Sequence, residues 1–248
     1  MGEVPTFGAG AQTQRRVMAI AQAPLFRGAS EQEKGQLAAS ARDCAAARRE
    51  VFVVQGQPAH ESFLLCAGRV KLTQVSADGQ EFILRLVGPG EHFGALGVPP
   101  GDTHPATAEA LEPSQALQWA RRQLDGLVER SPVLHANALR IVSQRLRSAE
   151  ERCREMATER VAQRVARTLF RLLGHVGRPS GGAVHVSLTR EELAQMTGTT
   201  LFTVSRLFSR WEAEGLIRAR REGVLIDDAA GLVRVADSCP LERHGSAS

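Results

Sequence analysis

The 248 residues are 43% hydrophobic and 23% charged, ordinary proportions for a globular chain of one or two domains. No stretch approaches 18 consecutive apolar residues, so no transmembrane helix is expected. The four cysteines, Cys44, Cys66, Cys153 and Cys239, form no close pair, which argues against a zinc or iron–sulfur site and against a disulfide framework. A net charge of +4 and a pI near 9.3 lean towards a polyanionic partner.

In chain order, Met1 to Gln14 lacks the apolar core of a signal peptide and reads as a loose arm. With reduced thiols, this makes the cytoplasm the expected location. Arg15 to Ala23 and Ser30 to Cys44 read as helices, the second opened by a capping box of Ser30 and Glu33. Residues 51–120 read as strands. The apolar runs at 51–54, 63–66, 70–75 and 82–87 are short, glycines punctuate them, and Asp78-Gly79 is the strongest hairpin signal. Such spacing predicts a sandwich or barrel.

Residues 122–174 read as helix with a break near Ser131-Pro132. Leu139, Val142, Leu146, Ala149, Cys153 and Met156 recur at spacings of three and four, a heptad seam set among charged residues. The seam predicts a two-fold dimer; packing against the chain's own barrel is the alternative. Cys153 either fills a heptad position as a small thiol or, paired across the axis, oxidises. A Gly/Pro/Ser segment at 177–182 breaks the pattern. A short strand from Ala183 to Ser187 then opens a compact unit ending near Val235, and the tail from Ala236 to Ser248 reads as frayed. The expected division is 15–121 for the barrel with its N-terminal helices, 122–157 for the dimerisation helix, and 158–236 for a winged helix-turn-helix, an α+β chain overall.

Residues 189–211 carry the motif that matters most. Thr189 and Glu192 form a second capping box. Counting from Arg190, the fifth residue is Ala194, small where two helices cross. The ninth is Gly198, suited to a left-handed turn, and the fifteenth and eighteenth are Val204 and Leu207, which pack the second helix on the first. That helix offers Thr200, Thr203, Ser205, Arg206, Ser209 and Arg210 outward, while Val204, Leu207, Phe208 and Trp211 face inward. Hydroxyls, with Thr189 and Thr199 nearby, suit phosphate oxygens, and arginine suits guanine O6 and N7. Two short β runs then flank a basic tip at Arg220 and Arg221, a wing. From Arg140 to Ile226 there are sixteen arginines and nine glutamates, a net +7 against +4 for the whole chain, so positive charge gathers where DNA would lie.

With Gln55-Gly56, the Gly68-Arg69-Val70 strand start, the run from Gly90 to Gly94, the long helix and the winged motif, residues 20–235 resemble the CRP/FNR family of bacterial regulators. The resemblance implies a cyclic-nucleotide-binding-type jelly roll, a homodimer on a near-palindromic operator, and contact with RNA polymerase. It also implies an effector pocket around Gly94, Ala95, Leu96, His92 and His104. Members that bind cyclic AMP carry a Gly-Glu-Leu turn and a following Arg-Ser pair, the Glu holding the ribose and the Arg the cyclic phosphate. Here the turn is Gly94-Ala95-Leu96 and the pair falls near His104-Pro105, so cyclic AMP is not expected. Residues 1–43 hold no cysteine, so the family's N-terminal iron–sulfur cluster is not expected either. Some relatives bind haem through a histidine, which leaves a haem-based gas sensor through His60, His92 or His104 as an alternative. Many relatives have Glu or Gln where Phe202 stands. Phe202 cannot accept from cytosine N4; it either touches a thymine methyl or packs. The retained Arg206 is the expected guanine contact.

Two other classes compete. A metal-dependent jelly-roll enzyme needs a His-x-His pair with a following Glu, and none is present. No Ser/His/Asp set or phosphate loop stands out, so no enzymatic activity is expected. A ligand-binding module acting on a protein partner would need only the barrel, and the helix-turn-helix argues against it. The protein also has the option of constitutive activity without an effector.

Overall fold

A computed structural model describes residues 9–96, 98–99, 101–221 and 223–238. The expected N-terminal arm lies outside the described residues up to residue 8, as do Gly97, Glu222, Cys239 and the rest of the tail. The chain forms two compact units, Met1–Ala149 and Glu150–Ser248.

The first unit opens with α1 (Ala9–Gln22), a 3-10 turn (Pro24–Phe26) and α2 (Glu31–Ser40). Eight strands follow: β1 (Arg42–Ala46), β2 (Val51–Val53), β3 (Glu61–Ala67), β4 (Val70–Val75), β5 (Glu81–Val87), β6 (His92–Gly94), β7 (Thr107–Ala110) and β8 (Ser114–Ala120). Then come α3 (Arg121–Arg130) and α4 (Pro132–Thr158), within which the boundary between the units falls. The strands make two four-stranded sheets, β1-β8-β3-β6 and β2-β7-β4-β5, the two layers of a jelly roll. Alternation along the strands sorts two cores. Phe63, Leu65, Val70, Val87, Phe93, Ala108 and Ala116 meet in one cluster inside the roll. Leu64, Leu117 and Trp119 turn the other way, against Ile20, Phe26, Leu37, Leu124 and Leu134 of the helices. The Trp119 indole donates to the Leu37 carbonyl at 2.9 Å, which ends α2 against the sheet.

The helix expected from Ser30 to Cys44 is shorter. Its capping box is present, but the backbone turns extended at Ala41 (ψ 149°) and Cys44 lies in β1, opposite Ala116 of β8. Pairing at the open edge of β8 outweighs the helix preference of the alanine-rich segment. At the other end of the first helix, α1 starts at Ala9, inside the segment expected to be a loose arm. Gln12 and Arg16 of α1 both hydrogen-bond the Asp43 carboxylate, at 2.6 Å in each case, and Arg15 reaches it at 3.3 Å.

The second unit contains the end of α4, α5 (Val161–Val176), β9 (Arg178–Ser180), β10 (Ala183–Val186), α6 (Arg190–Thr197), α7 (Leu201–Ala213), β11 (Ile217–Arg220), β12 (Gly223–Ile226) and α8 (Ala229–Asp237). Its sheet runs β11-β12-β10-β9. Val165, Leu169 and Leu172 of α5 are buried, as are Leu193, Val204, Phe208, Trp211, Ile226 and Leu232. The helix expected over 122–174 breaks twice. The break at Ser131 matches the expectation. The second, at Glu159 and Arg160, has no glycine or proline to announce it; Arg160 is extended (ψ 154°) and its N–H bonds the Gln163 side chain at 2.9 Å. Buried Glu155 pairs with Arg171, and Glu159 with Arg167 at 3.1 Å, fastening the last turns of α4 to α5. The helix α8 falls where the sequence suggested the unit's end and the start of the tail. Asp228 caps it, accepting from the Gly231 N–H at 2.8 Å. Among the described residues no helix is long and apolar enough to cross a membrane.

Candidate nucleic-acid interface

The helix pair α6–α7 is built by its caps and its turn. The Thr189 hydroxyl accepts from the Glu192 N–H at 3.1 Å while the Glu192 carboxylate accepts from the Thr189 N–H at 2.7 Å. This satisfies two amides that the first turn of α6 leaves open. Gly198 ends the helix at φ 60°, ψ 44°, its N–H bonded to the Ala194 carbonyl. That left-handed conformation reverses the chain in three residues, and a side chain there is strained. The Thr200 hydroxyl then caps α7, accepting from the Thr203 N–H at 3.2 Å.

The two faces of α7 separate cleanly. Val204, Phe208 and Trp211 are buried and Leu207 is half-buried; Thr200, Phe202, Arg206, Ser209 and Arg210 are exposed, and Thr203 and Ser205 half-buried. Arg206 enters no ion pair among the described residues and is free to reach a ligand. Arg210 differs: its guanidinium bonds Glu214 one turn on, at 2.8 Å. The sequence spacing of four carries that pairing, which a list of outward arginines overlooks. Thr189 is half-buried at the start of α6, and Thr199 half-buried in the turn. The Arg190 guanidinium stacks 5.7 Å over the Phe208 ring, a structural use of an arginine beside the interface.

Beyond α7, Arg220 of β11 sits opposite Gly223 of β12. Arg220 and Arg221 are exposed at the tip. Arg218 is bound by Asp227 through two bonds, at 2.9 and 2.7 Å. The Glu212 carboxylate accepts from the Ala219 N–H at 2.7 Å, tying the wing to α7. The second unit thus presents a capped helix whose Arg206 has no ion pair among the described residues, and a basic hairpin tip, groups chemically suited to a polyanion.

The barrel candidates lie in and just after β6 and before β3 and β7. Gly94 has φ 87°, and a Cβ there would lie 2.6 Å from the Glu61 carbonyl, so only glycine lets β6 end this close to β3. Ala95 is buried and its N–H donates to the same carbonyl at 2.9 Å. Leu96 packs on the helix-facing cluster. The His92 ring also faces the helices, 5.0 Å from Phe26 and 6.2 Å from Trp119, whereas its neighbour Phe93 lines the interior. Burial, with Arg145 and Arg85 nearby, pushes the His92 pKa down to about 3, so the ring is neutral. His104 is buried before β7, and neither ring nitrogen is hydrogen-bonded among the described residues. Burial lowers its pKa as well. His60 is exposed. Among the described residues no group of three His, Cys, Asp or Glu side chains could hold a metal ion.

The helix α4 has two stripes. One docks on the barrel: buried Asn137 donates to the Leu25 and Arg27 carbonyls at 3.0 and 2.8 Å, and Arg145 donates to the His92 carbonyl at 2.6 Å, which also accepts from Arg85 at 2.9 Å. Burial, with Arg85 adjacent, lowers the Arg145 pKa to about 10, leaving it charged at neutral pH. The other stripe is the heptad seam. Leu139 and Leu146 are 61% and 59% exposed, and Val142, Ala149, Cys153 and Met156 are exposed too. Within the first unit, Leu139, Val142, Leu146 and Ala149 of the seam are therefore left exposed.

Comparison with known proteins fits this geometry. The family model of the cyclic nucleotide-binding domain matches residues 45–131, and that of the Crp-like helix-turn-helix domain matches residues 163–235. The chain is 27% identical to a CRP-like cAMP-activated global transcriptional regulator of Mycobacterium tuberculosis, over 88% of this chain and 98% of the relative. It is 29% identical to a cyclic AMP receptor protein of Thermus thermophilus, over 86% and 96%. The crystal structure of a CRP/FNR-family transcriptional regulator from Thermus thermophilus superposes with a TM-score of 0.68 at 26% identity, covering 79% of this chain and 99% of that one.

Proposed function

The chain belongs to the CRP/FNR family of transcriptional regulators, with a helix-turn-helix DNA-binding domain and a cyclic-nucleotide-binding-type domain, and from that premise we propose that it binds a palindromic operator as a homodimer. The observation that carries the proposal is the exposed apolar seam of α4. A helix with Leu139, Val142 and Leu146 exposed to water gains by pairing with its own copy, because a two-fold axis sets identical stripes against each other. Two copies of α7 then meet two half-sites about 34 Å apart, which makes the operator palindromic. Arg206 reads guanine, the hydroxyls of Thr189, Thr199, Thr200, Thr203 and Ser205 with Arg210 hold phosphates or base edges, and Arg220 and Arg221 of the wing contact the flanking backbone. RNA polymerase is the protein partner that family membership brings.

The residues at the expected ligand turn argue against cyclic AMP. Ala95 offers no oxygen for a ribose hydroxyl. His104 stands near the place of the phosphate-binding arginine, and its burial favours the neutral imidazole, which provides no cation. The two relatives named for cyclic AMP thus share the architecture, while the residues at this chain's ligand turn lack the chemistry for that nucleotide. Haem on His92 is disfavoured as well, because its ring is enclosed between Phe26 and Trp119 on the face away from the interior. An effector that prefers one barrel conformation would shift the population of DNA-competent dimers. The bonds from Arg145 to the end of β6 and from Asn137 to the 3-10 turn are the contacts through which α4 would respond.

Selection of binding sites from fragmented genomic DNA at physiological salt tests the proposal. Two inverted half-sites are expected. Recovery without a common sequence, with affinity that merely follows salt, would indicate nonspecific binding instead.

A further inference from the structure

Phe202 is 81% exposed on the first turn of α7. Its neighbours on that face are the Thr200 cap and Thr203, with exposed Arg206 one turn on. The packing role open to it in the sequence is absent: the buried aromatic residues of α7 are Phe208 and Trp211, on the opposite face, and Phe202 stacks on no ring among the described residues. With its neighbour Leu201, which is 44% exposed, Phe202 leaves an apolar corner open to solvent on the first turn of α7.

The helix-turn-helix gives this position a ligand. The N-terminal residues of the second helix meet base edges in the major groove. A phenyl ring neither donates nor accepts a conventional hydrogen bond, so cytosine N4, adenine N6 and the purine N7 and O6 atoms offer it nothing. The one apolar feature of that groove is the C5-methyl of thymine. We infer that Phe202 is a specificity-determining residue that reads a thymine methyl in each half-site; this rests on the DNA-binding reading above. Residues four apart on a helix have Cβ atoms about 6 Å apart. Base pairs stack about 3.4 Å apart. The thymine therefore lies within about two base pairs of the guanine contacted by Arg206.

The full-length protein and its Phe202→Ala variant are used to select operators from a randomised duplex pool. The wild-type operator is then remade with deoxyuridine at that thymine, which removes the methyl group alone. Wild-type affinity should fall about fourfold per half-site and about 15-fold with both halves substituted. Phe202→Ala should bind thymine and uracil duplexes equally, while Arg206→Ala should bind more weakly yet keep the preference. Because Phe202 is exposed, the Phe202→Ala variant should melt with the wild type. A wild-type operator with no thymine near the guanine, equal wild-type affinity for the two duplexes, or a thymine preference that survives in Phe202→Ala would each overturn the inference and leave the regulator reading intact. Failure to select any common sequence would overturn both.

Discussion

Replacing Leu146 by alanine should separate the dimer from the fold. In the protomer Leu146 is 59% exposed, so most of its side chain has yet to leave water. Complete burial of a leucine contributes about 1.5–3 kcal/mol, and the share still to be gained is about 1–2 kcal/mol. Two-fold symmetry makes the change twice, about 2–4 kcal/mol per dimer. The dimer dissociation constant should rise about 30- to 700-fold, since each 1.4 kcal/mol is a factor of ten. Sedimentation equilibrium over a concentration series measures it. Stability of the isolated protomer should change by less than about 0.5 kcal/mol, as expected for a surface position. A dissociation constant within threefold of the wild type would refute the seam, and a large loss of protomer stability would show that the residue packs within the chain.

Three further substitutions probe the turn between α6 and α7, the anchor of α1, and the buried ring of β6. Gly198→Ala should cost about 1–2 kcal/mol for its left-handed turn and Gly198→Asn less, read by thermal unfolding; equal melting of all three proteins would contradict the strained turn. At Asp43 burial alone raises the carboxyl pKa, but hydrogen bonds from Arg16 and Gln12 and the charges of Arg16 and Arg15 bring it below the usual range. Its stabilisation is therefore present above the unfolded value near pH 4 and is lost as pH falls through the lower folded value. Asp43→Asn should cost about 1.5–3 kcal/mol at pH 7; a urea midpoint unchanged there would mean that α1 is not held by this contact. His92 is held neutral with a pKa of about 3, against about 6.5 unfolded, so the unfolded chain binds more protons between those values and stability declines as pH falls through that window. His92→Phe should flatten the decline in urea midpoint from pH 6.5 to 4, while His104 continues to act in the same direction; an unaltered slope would show that the ring is not a buried neutral base.

The parts of the molecule that follow short-range rules were legible in the sequence. Ser30 with Glu33 and Thr189 with Glu192 announce their helices because a cap needs only four residues. Gly198 announces its turn because few other residues adopt φ 60° cheaply. The apolar stripe of α4 was legible from its spacings of three and four, and the structure leaves it exposed; its pairing with a second copy stays a proposal. Features that depend on distant partners were not. The strand β1 looks helical until the edge of β8 is placed beside it. The break at Arg160 carries no helix-breaking residue, and α8 starts on an ordinary aspartate. Sequence position near the expected ligand turn also could not say which face of β6 His92 occupies. Strand alternation decides that, and it puts Phe93 inside.

The stoichiometry of the complex on a selected operator tests the account most directly. Sedimentation velocity of the full-length protein on a duplex carrying both half-sites should give two chains per duplex. A duplex with one half-site inverted should lose affinity even though every base contact within that half is preserved. One chain per duplex at undiminished affinity, or indifference to the orientation of the half-sites, would contradict a two-fold regulator joined along α4.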